Sequence, residues 1–356
     1  MDSLSLQLNL QRDQHMAATV IEAFSNFLTN TINLDSKETK TARNSRDWLV
    51  QNIHKFPTND KNFPFLYSDK DIFFGSFARN TKKRALDDID IMICLHADFA
   101  TYAELQNHIE VKASENSNLS KLCFNESNTL NSKKVINSFI KQLKAIPQYE
   151  KAEEISRNQE AAKIKLKSYD WNFDIVPCFY TTPDYSGKTY YVIPDGDGNW
   201  KKTDPRIDRD KVSSINQAHD GNVLNVIRIM KYWNKRPTMP SMSSYLLESM
   251  ILDYYSKETN PASRYVDIEI PKILHYLSYS IFSTVEDPKR IQGNLNSLSF
   301  DDQSKISARA FIDYQTSLKA RSDETNGDHK GAIKNWSLVL GNDFPAYYNA
   351  TKGAIA

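Results

Sequence analysis

Glycine is scarce in this chain, 10 of 356 residues, and no segment repeats. That excludes solenoids, collagen-like arrays and glycine-rich low-complexity sequence. No apolar run approaches 18 residues and no signal-peptide pattern is legible, so neither a membrane helix nor export is expected and the cytoplasm is the expected location. Cys94, Cys123 and Cys178 are odd in number and far apart, without zinc-ligand spacing, which reads as reduced thiols. A net charge of +1 gives no global pull toward nucleic acid or lipid. His54, His96, His219, His275 and His329 are scattered, none of them four residues from another histidine. A Walker A run, a dinucleotide glycine fingerprint and the Gly-x-Ser-x-Gly setting of a hydrolase nucleophile are all missing. What remains is an ordinary soluble composition, 40% hydrophobic and 25% charged, long enough for two domains or one bilobal unit.

The informative stretch is Phe74-Gly75-Ser76-Phe77-Ala78-Arg79-Asn80-Thr81 followed by Leu86-Asp87-Asp88-Ile89-Asp90-Ile91-Met92-Ile93. Residues two apart in a strand share a face, so Asp88 and Asp90 project together while Ile89, Ile91 and Ile93 pack behind them. Adjacent carboxylates repel unless a cation lies between them, and Mg²⁺ is held by a few carboxylates together with substrate phosphates. Gly75 lets the backbone approach a ligand closely, and the N–H groups and hydroxyl around Ser76 suit phosphate oxygens. Asp71–Phe74 reads as a short buried strand, antiparallel to the Asp88–Leu95 strand.

Along the rest of the chain, 13–31 is expected to be a helix with Met16, Val20, Ile21, Phe24, Phe27 and Leu28 on its apolar face. A second helix follows Ser36, with Trp48, Leu49 and Ile53 at its buried end, and Pro57 stops it. Residues 103–146 are expected to be mostly helical around an Asn/Ser-rich loop, with Val135, Ile136, Phe139, Ile140 and Leu143 on one face. Ala162–Lys167 and Trp171–Pro177 form a second hairpin carrying Asp174 in mid-strand. An acid there is costly unless it is paired or metal-bound. It reads as the third carboxylate of the site, with an arginine partner or a turn cap as the alternative. From Lys211 onward the chain reads as helical, including Ile268–Leu277, Gln303–Leu318 and Lys330–Leu340. The expected division is a core lobe of residues 1–210 and a helical lobe of residues 211–356.

Two metal ions held by Asp88, Asp90 and Asp174 could clamp a phosphoryl transfer, one activating the attacking hydroxyl and the other holding the leaving pyrophosphate. Such transfer needs positioning and charge neutralisation more than covalent help. Lys231, with Ser243 or Ser244 opening the next helix, would complete the grip on the phosphates. A solvated helix lysine is the competing reading for Lys231. Tyr245 either stacks on a base or packs in the core.

Together these segments resemble the DNA-polymerase-beta-like nucleotidyltransferases, and within them the bacterial CD-NTases. The resemblance runs over about 70–250. It is carried by Gly75-Ser76 with Arg79 and Thr81, Asp88-Ile89-Asp90, Asp174, Pro194-Asp195-Gly196 with Trp200 and Thr203-Asp204-Pro205, Lys231-Tyr232-Trp233-Asn234 and Ser244-Tyr245-Leu246-Leu247-Glu248. It implies an α+β fold: a mixed-sheet nucleotidyltransferase core plus a helical C-terminal lobe, with the active site in the cleft between them. It implies a monomeric enzyme that uses Mg²⁺ (Mn²⁺ as a substitute) to join NTPs, ATP and GTP foremost, into a cyclic di- or trinucleotide such as a cyclic GMP–AMP. That product would activate an effector in anti-phage signalling. By the same resemblance Gly75, Ser76, Arg79, Thr81, Lys231, Ser243, Ser244 and Tyr245 bind nucleotide. RNA tailing, or AMP transfer to a protein or small molecule, is the alternative activity. Phe74 departs from the pattern, since some relatives place glutamine before Gly-Ser. There is no zinc-binding insertion of the animal enzyme's kind, which argues against activation by DNA. A ubiquitin-conjugation-like partner acting on Ala356 is compatible with the small C-terminal residues; a frayed end is the alternative.

Overall fold

The computed structural model describes residues 16–349. In chain order the elements used below are β1 (Met16–Ala17), α1 (Val20–Phe27), α2 (Ser36–Ile53), β2 (Ile72–Phe74), α3 (Gly75–Ala78) and β3 (Asp88–Cys94). Next come β4 (Thr101–Glu104), β5 (Ile109–Lys112), α4 (Ser132–Lys144), β6 (Glu154–Asn158), β7 (Ala161–Lys165), β8 (Asn172–Tyr180), β9 (Tyr191–Pro194) and β10 (Trp200–Thr203). The remainder is α5 (Pro205–Ala218), α6 (Val223–Asn234), α7 (Ser244–Tyr255), α8 (Val266–Ser280), α9 (Phe300–Thr325), α10 (His329–Leu340) and β11 (Ala346–Tyr347). The chain forms two compact units. One comprises Ser36–Asn80 and Leu86–Arg209; the other takes in 16–35, Thr81–Ala85 and the chain from Asp210 onward. No helix among the described residues is long and apolar enough to cross a membrane.

The first unit is built on a mixed nine-stranded sheet in the order β2-β3-β8-β9-β10-β5-β4, with β7 and then β6 branching from β8. β3 and β8 run parallel in register from Asp88↔Asn172 to Cys94↔Cys178, and β2 lies antiparallel to β3. Strand alternation sends Ile89, Ile91 and Ile93 to one face, all at most 1% exposed. The other face of the same strands carries a second apolar cluster of Ile72, Met92, Cys94, Val176, Cys178 and Tyr191. β8 changes neighbour along its length: Asn172–Ile175 pair with β7, and Phe179–Tyr180 pair with β9. Pro177 stands between these two ladders. A residue without an N–H is tolerated there because no antiparallel bond is due from it.

Residues 103–146 are not mostly helical. β4 and β5 form an antiparallel hairpin, a 3₁₀ turn follows at Asn118–Leu122, and the single α-helix is α4. In β5 only Ile109 and Val111 are buried, a period of two that four residues express too briefly to stand out. The expected apolar face of α4 is present, with Val135, Ile136, Phe139 and Leu143 at 0% exposure, and Asn131 caps the helix through its side chain. At the buried end of α2, Leu49 and Ile53 are fully enclosed, whereas Trp48 is 36% exposed and meets Tyr149 edge-on.

The second unit is mainly helical around one core that includes Val226, Met230, Trp233, Leu247, Ile251, Ile270, Leu274 and Trp336. The single long helix expected over 13–31 is a two-residue strand, then α1 capped by Thr19, then a π-helical turn at Leu28–Ile32. Ile21, assigned to its apolar face, is 56% exposed. Asp13–His15 lie outside the described residues, as does Ala356. The C-terminal region is not helical throughout: β11 pairs parallel with β1. α5 runs through residues 209 and 210, where the two units meet in sequence.

Candidate active site

The acids lie on the two parallel central strands of the sheet unit. Asp90 is opposite Phe74 of β2 on one side and opposite Asp174 of β8 on the other, and Asp88 is opposite Asn172. Direct cross-strand neighbours share a face, so Asp88, Asp90 and Asp174 stand on one surface of the sheet, half-buried at the end where Met92 and Val176 give way to polar residues. The strand end is fixed by Asn172, whose N–H and side-chain amide both donate to the Asp87 carbonyl at 2.9 and 3.1 Å.

Gly75 follows β2 directly and opens the helical turn α3. Its φ is +72°, a region that favours glycine, and a Cβ placed on it would lie 1.7 Å from Asp90 Oδ2. No other residue lets the Asp90 carboxylate rest against this turn. Ser76 and Arg79 are half-buried on and just after the turn, and the Arg79 N–H closes it onto the Gly75 carbonyl at 3.2 Å.

Asp174 is the most telling of the three acids. Its Oδ1 is buried and has no hydrogen-bond partner among the described residues. Burial pushes its carboxyl above the usual range, and Lys163, opposite it on β7, pulls the other way without cancelling that rise. An acceptor oxygen that is out of water and unsatisfied is a standing cost of about 1–3 kcal/mol. It fits a hard cation, which would satisfy the oxygen and favour the charged carboxylate. Among the described residues no three His, Cys, Asp or Glu side chains close into a ready-made metal cage. Mg²⁺ does not require one, since it keeps waters and substrate phosphates in its shell.

The remaining expected residues belong to the helical unit. Lys231, on α6, is 5% exposed and its ammonium is 2.5 Å from Glu248 Oε2 on α7. It also donates to the Thr81 carbonyl at 3.2 Å and hydroxyl at 3.1 Å, and the Thr81 hydroxyl in turn donates to Glu248 at 2.8 Å. The structure thus brings Thr81 and Lys231 together through the Glu248 carboxylate, to which the sequence alone assigns no role. The signal was there: Glu248 interrupts Leu246, Leu247, Met250 and Ile251, and a charge in such a run needs a buried partner. Ser243 caps α7 by accepting the Leu246 N–H at 3.1 Å, and Ser244 is exposed on its first turn. Tyr245 donates its hydroxyl to Asp287 at 2.9 Å, and the Lys289 ammonium lies 4.3 Å from the centre of its ring. Asp287 and Lys289, 3.2 Å apart and nearly enclosed, were not legible because they sit on an irregular loop.

No family model matches the chain. It is 44% identical over 335 residues to a protein of Bacillus cereus strain VD146 named "Probable cyclic nucleotide synthase", the match covering 93% of this chain and 99% of that one. Among solved structures it resembles CdnC of Escherichia coli MS115-1, determined with ATP, at a TM-score of 0.66 and 15% identity over 91% of this chain and 98% of that one. It also resembles the Vibrio cholerae cyclic AMP–GMP synthase DncV, determined with the linear intermediate 5′ pppA(3′,5′)pG, at a TM-score of 0.63 and 14% identity over 92% and 98%. The mixed sheet and the helical C-terminal region are those of these folds. With near full-length similarity to a cyclic nucleotide synthase and the acid-bearing strands beside a Gly-Ser turn, the chain belongs to the CD-NTase family of nucleotidyltransferases.

Proposed function

We propose that the enzyme joins NTPs, ATP and GTP foremost, into a cyclic di- or trinucleotide with release of pyrophosphate, and that the product is a second messenger in anti-phage signalling, passed to a downstream effector. The observation that carries the reading is the Gly75 turn resting on Asp90, with Asp174 beside it holding a buried, unsatisfied oxygen. Asp88, Asp90 and Asp174 would hold two Mg²⁺ ions. When bound, these lower the pKa of an attacking ribose hydroxyl and neutralise charge on the leaving pyrophosphate.

The chain's own residues do the positioning. The helical turn after Gly75 offers backbone N–H groups and the Ser76 hydroxyl to phosphate oxygens, and Arg79 adds a cation at its end. Asp90, held against that turn, keeps the phosphate-binding backbone and the carboxylates in fixed register. Ser244 presents its hydroxyl on the first turn of α7, a helix end that favours anions, and Ser243, whose Oγ accepts the Leu246 N–H, keeps its hydroxyl hydrogen to donate. Lys231 is assigned to the donor triphosphate. Its pairing with Glu248 and Thr81 means that the grip is exerted either by exchanging partners or by holding α6 and α7 together.

Incubation with all four NTPs and Mg²⁺, phosphatase treatment and mass spectrometry of the small-molecule fraction test the reading. A phosphatase-resistant cyclic nucleotide is expected, and it disappears in Asp88→Ala and Asp90→Ala. Label appearing on RNA or on protein instead would replace cyclisation with tailing or AMP transfer.

A further inference from the structure

Exposed apolar side chains gather on one part of the helical unit. Tyr279 lies near the end of α8 and Phe282 just beyond it; Phe300, Phe311, Ile312 and Leu318 lie on α9. Leu338 adds to them from α10, and all are between 41% and 75% exposed. Apolar residues scattered singly over a surface are ordinary, but these are connected. Phe282 meets Phe300 at 5.8 Å between ring centres, and His275 of α8 stacks on Tyr314 of α9 at 4.7 Å. Tyr279 reaches the His275 ring at 5.4 Å, and Phe311 reaches the Tyr314 ring at 6.3 Å. Arg309 of α9 donates to the Leu338 carbonyl of α10 at 3.2 Å.

The pattern along α9 bears on what could cover this surface. Ser304, Ala308, Phe311, Ile312, Gln315 and Leu318 follow one another at helical spacing, half-buried or exposed, and none of them is charged. A helix face toward water ordinarily carries charge, and its depletion marks the core of an interface. Asp301 and Lys319 stand at the two ends of this stripe, a whole number of helical turns apart, so they share a face. Their present partners, Lys305 and Asp323, are on the same helix, and surface pairs of this kind hold weakly enough to be exchanged. Asp301 and Lys319 are equidistant from Ala310 in sequence, and so are Ala308 and Ile312. A two-fold axis needs this self-complementarity. Across such an axis Lys319 of each copy meets Asp301 of the other, and Ile312 meets the small Ala308.

We propose that this face binds a second copy of the chain, α9 antiparallel to α9, giving a two-fold dimer in place of the monomer that the family resemblance implies. The exposed apolar side chains offer on the order of 600 Å² per copy. That is as large as the largest patch on a typical monomer, and the two copies together reach roughly 1,200 Å², the lower bound of a specific interface. A parallel arrangement would set Asp301 beside Asp301 and Lys319 beside Lys319, which like charges disfavour.

Sedimentation equilibrium of the full chain over a range of concentrations tests this. The 40.9 kDa chain is expected to reach twice its mass as concentration rises. Ile312→Glu is expected to weaken association about tenfold or more with an unaltered melting temperature, because the side chain is exposed in the single chain. Asp301→Lys and Lys319→Asp are each expected to weaken it a few-fold. An equimolar mixture of these two variants is expected to regain association, since a pair formed from one of each meets opposite charges at both ends. A mass that stays at one chain overturns the proposal, as does undiminished dimerisation of Ile312→Glu. A mixture no more associated than either variant alone overturns the antiparallel two-fold. A monomer that instead sediments with phosphatidylcholine vesicles would assign the face to lipid and overturn it as well. None of these readouts involves nucleotide or product, so failure here and failure of the cyclisation reading are distinguishable.

Discussion

Two clusters of buried charge, one in each unit, follow opposite rules. In the helical unit Lys231, Glu248 and Thr81 satisfy one another, and the ion pair is almost wholly enclosed. In the sheet unit Asp174 has the partial influence of Lys163, and among the described residues one of its oxygens is buried without a bond. The first arrangement is complete without a ligand. The second has an oxygen that a cation would satisfy. Burying charge is expensive in both cases; the helical unit meets the cost with an ion pair, while in the sheet unit a bound cation would offset it.

The sharpest way to break this contrast is to remove one member of each cluster. Asp88→Ala or Asp90→Ala is expected to lower synthesis by on the order of 10²–10³-fold or more, as loss of electrostatic stabilisation of a transition state does, with the fold retained. Initial rates and circular dichroism check both halves of that expectation. Glu248→Ala is expected to act the other way, costing about 3–5 kcal/mol of stability because the buried Lys231 loses the carboxylate it is paired with. Denaturant unfolding measures it. If Glu248→Ala leaves stability unchanged, the pair is not a structural neutralisation and its value lies in nucleotide binding. Gly75→Ala is expected to cost about 1–3 kcal/mol through strain at φ +72° and contact with Asp90, and to reduce activity with it.

The smallest expected change in stability is the most diagnostic. Asp174→Asn should abolish synthesis yet raise the melting temperature of the metal-free protein by a few degrees, corresponding to about 1 kcal/mol. The sign follows from the raised carboxyl pKa. Wild type binds the proton more tightly folded than unfolded, so the stability Asp174 contributes is fully present below pH 3.8 and is lost as pH rises through the folded value. The advantage of Asn should therefore grow with pH and then level off. Added Mg²⁺ should restore wild type and leave the variant unmoved. A constant difference at all pH values would remove the unsatisfied carboxylate as its cause.

Sequence periodicity made one cluster far more legible than the other. Asp88-Ile89-Asp90 declares a strand with two faces, and Gly75 declares a close approach of backbone, because both signals are local. The placement of Asp174 in mid-strand was readable too, from its apolar neighbours. Its register opposite Asp90 was not, because parallel pairing is settled by the whole chain between the strands. Glu248 joins Thr81 across 167 residues, and sequence offers only the oddity of a charge in an apolar run. The β4–β5 hairpin was missed for another reason: every residue of β4 is exposed, so no burial pattern marks it.

The change of partner along β8 has a consequence for how the sheet can vary. The end carrying Asp174 is braced by β3 and β7, and the end carrying Phe179 leads through β9 and β10 to the exposed hairpin. Pro177 is the seam between them. Lengthening, twisting or replacing the outer strands alters ladders that begin beyond the seam, while the ladder that sets the spacing of Asp90 and Asp174 is untouched. The sheet is in this sense modular, one end a fixed gauge for the acids and the other a margin open to change.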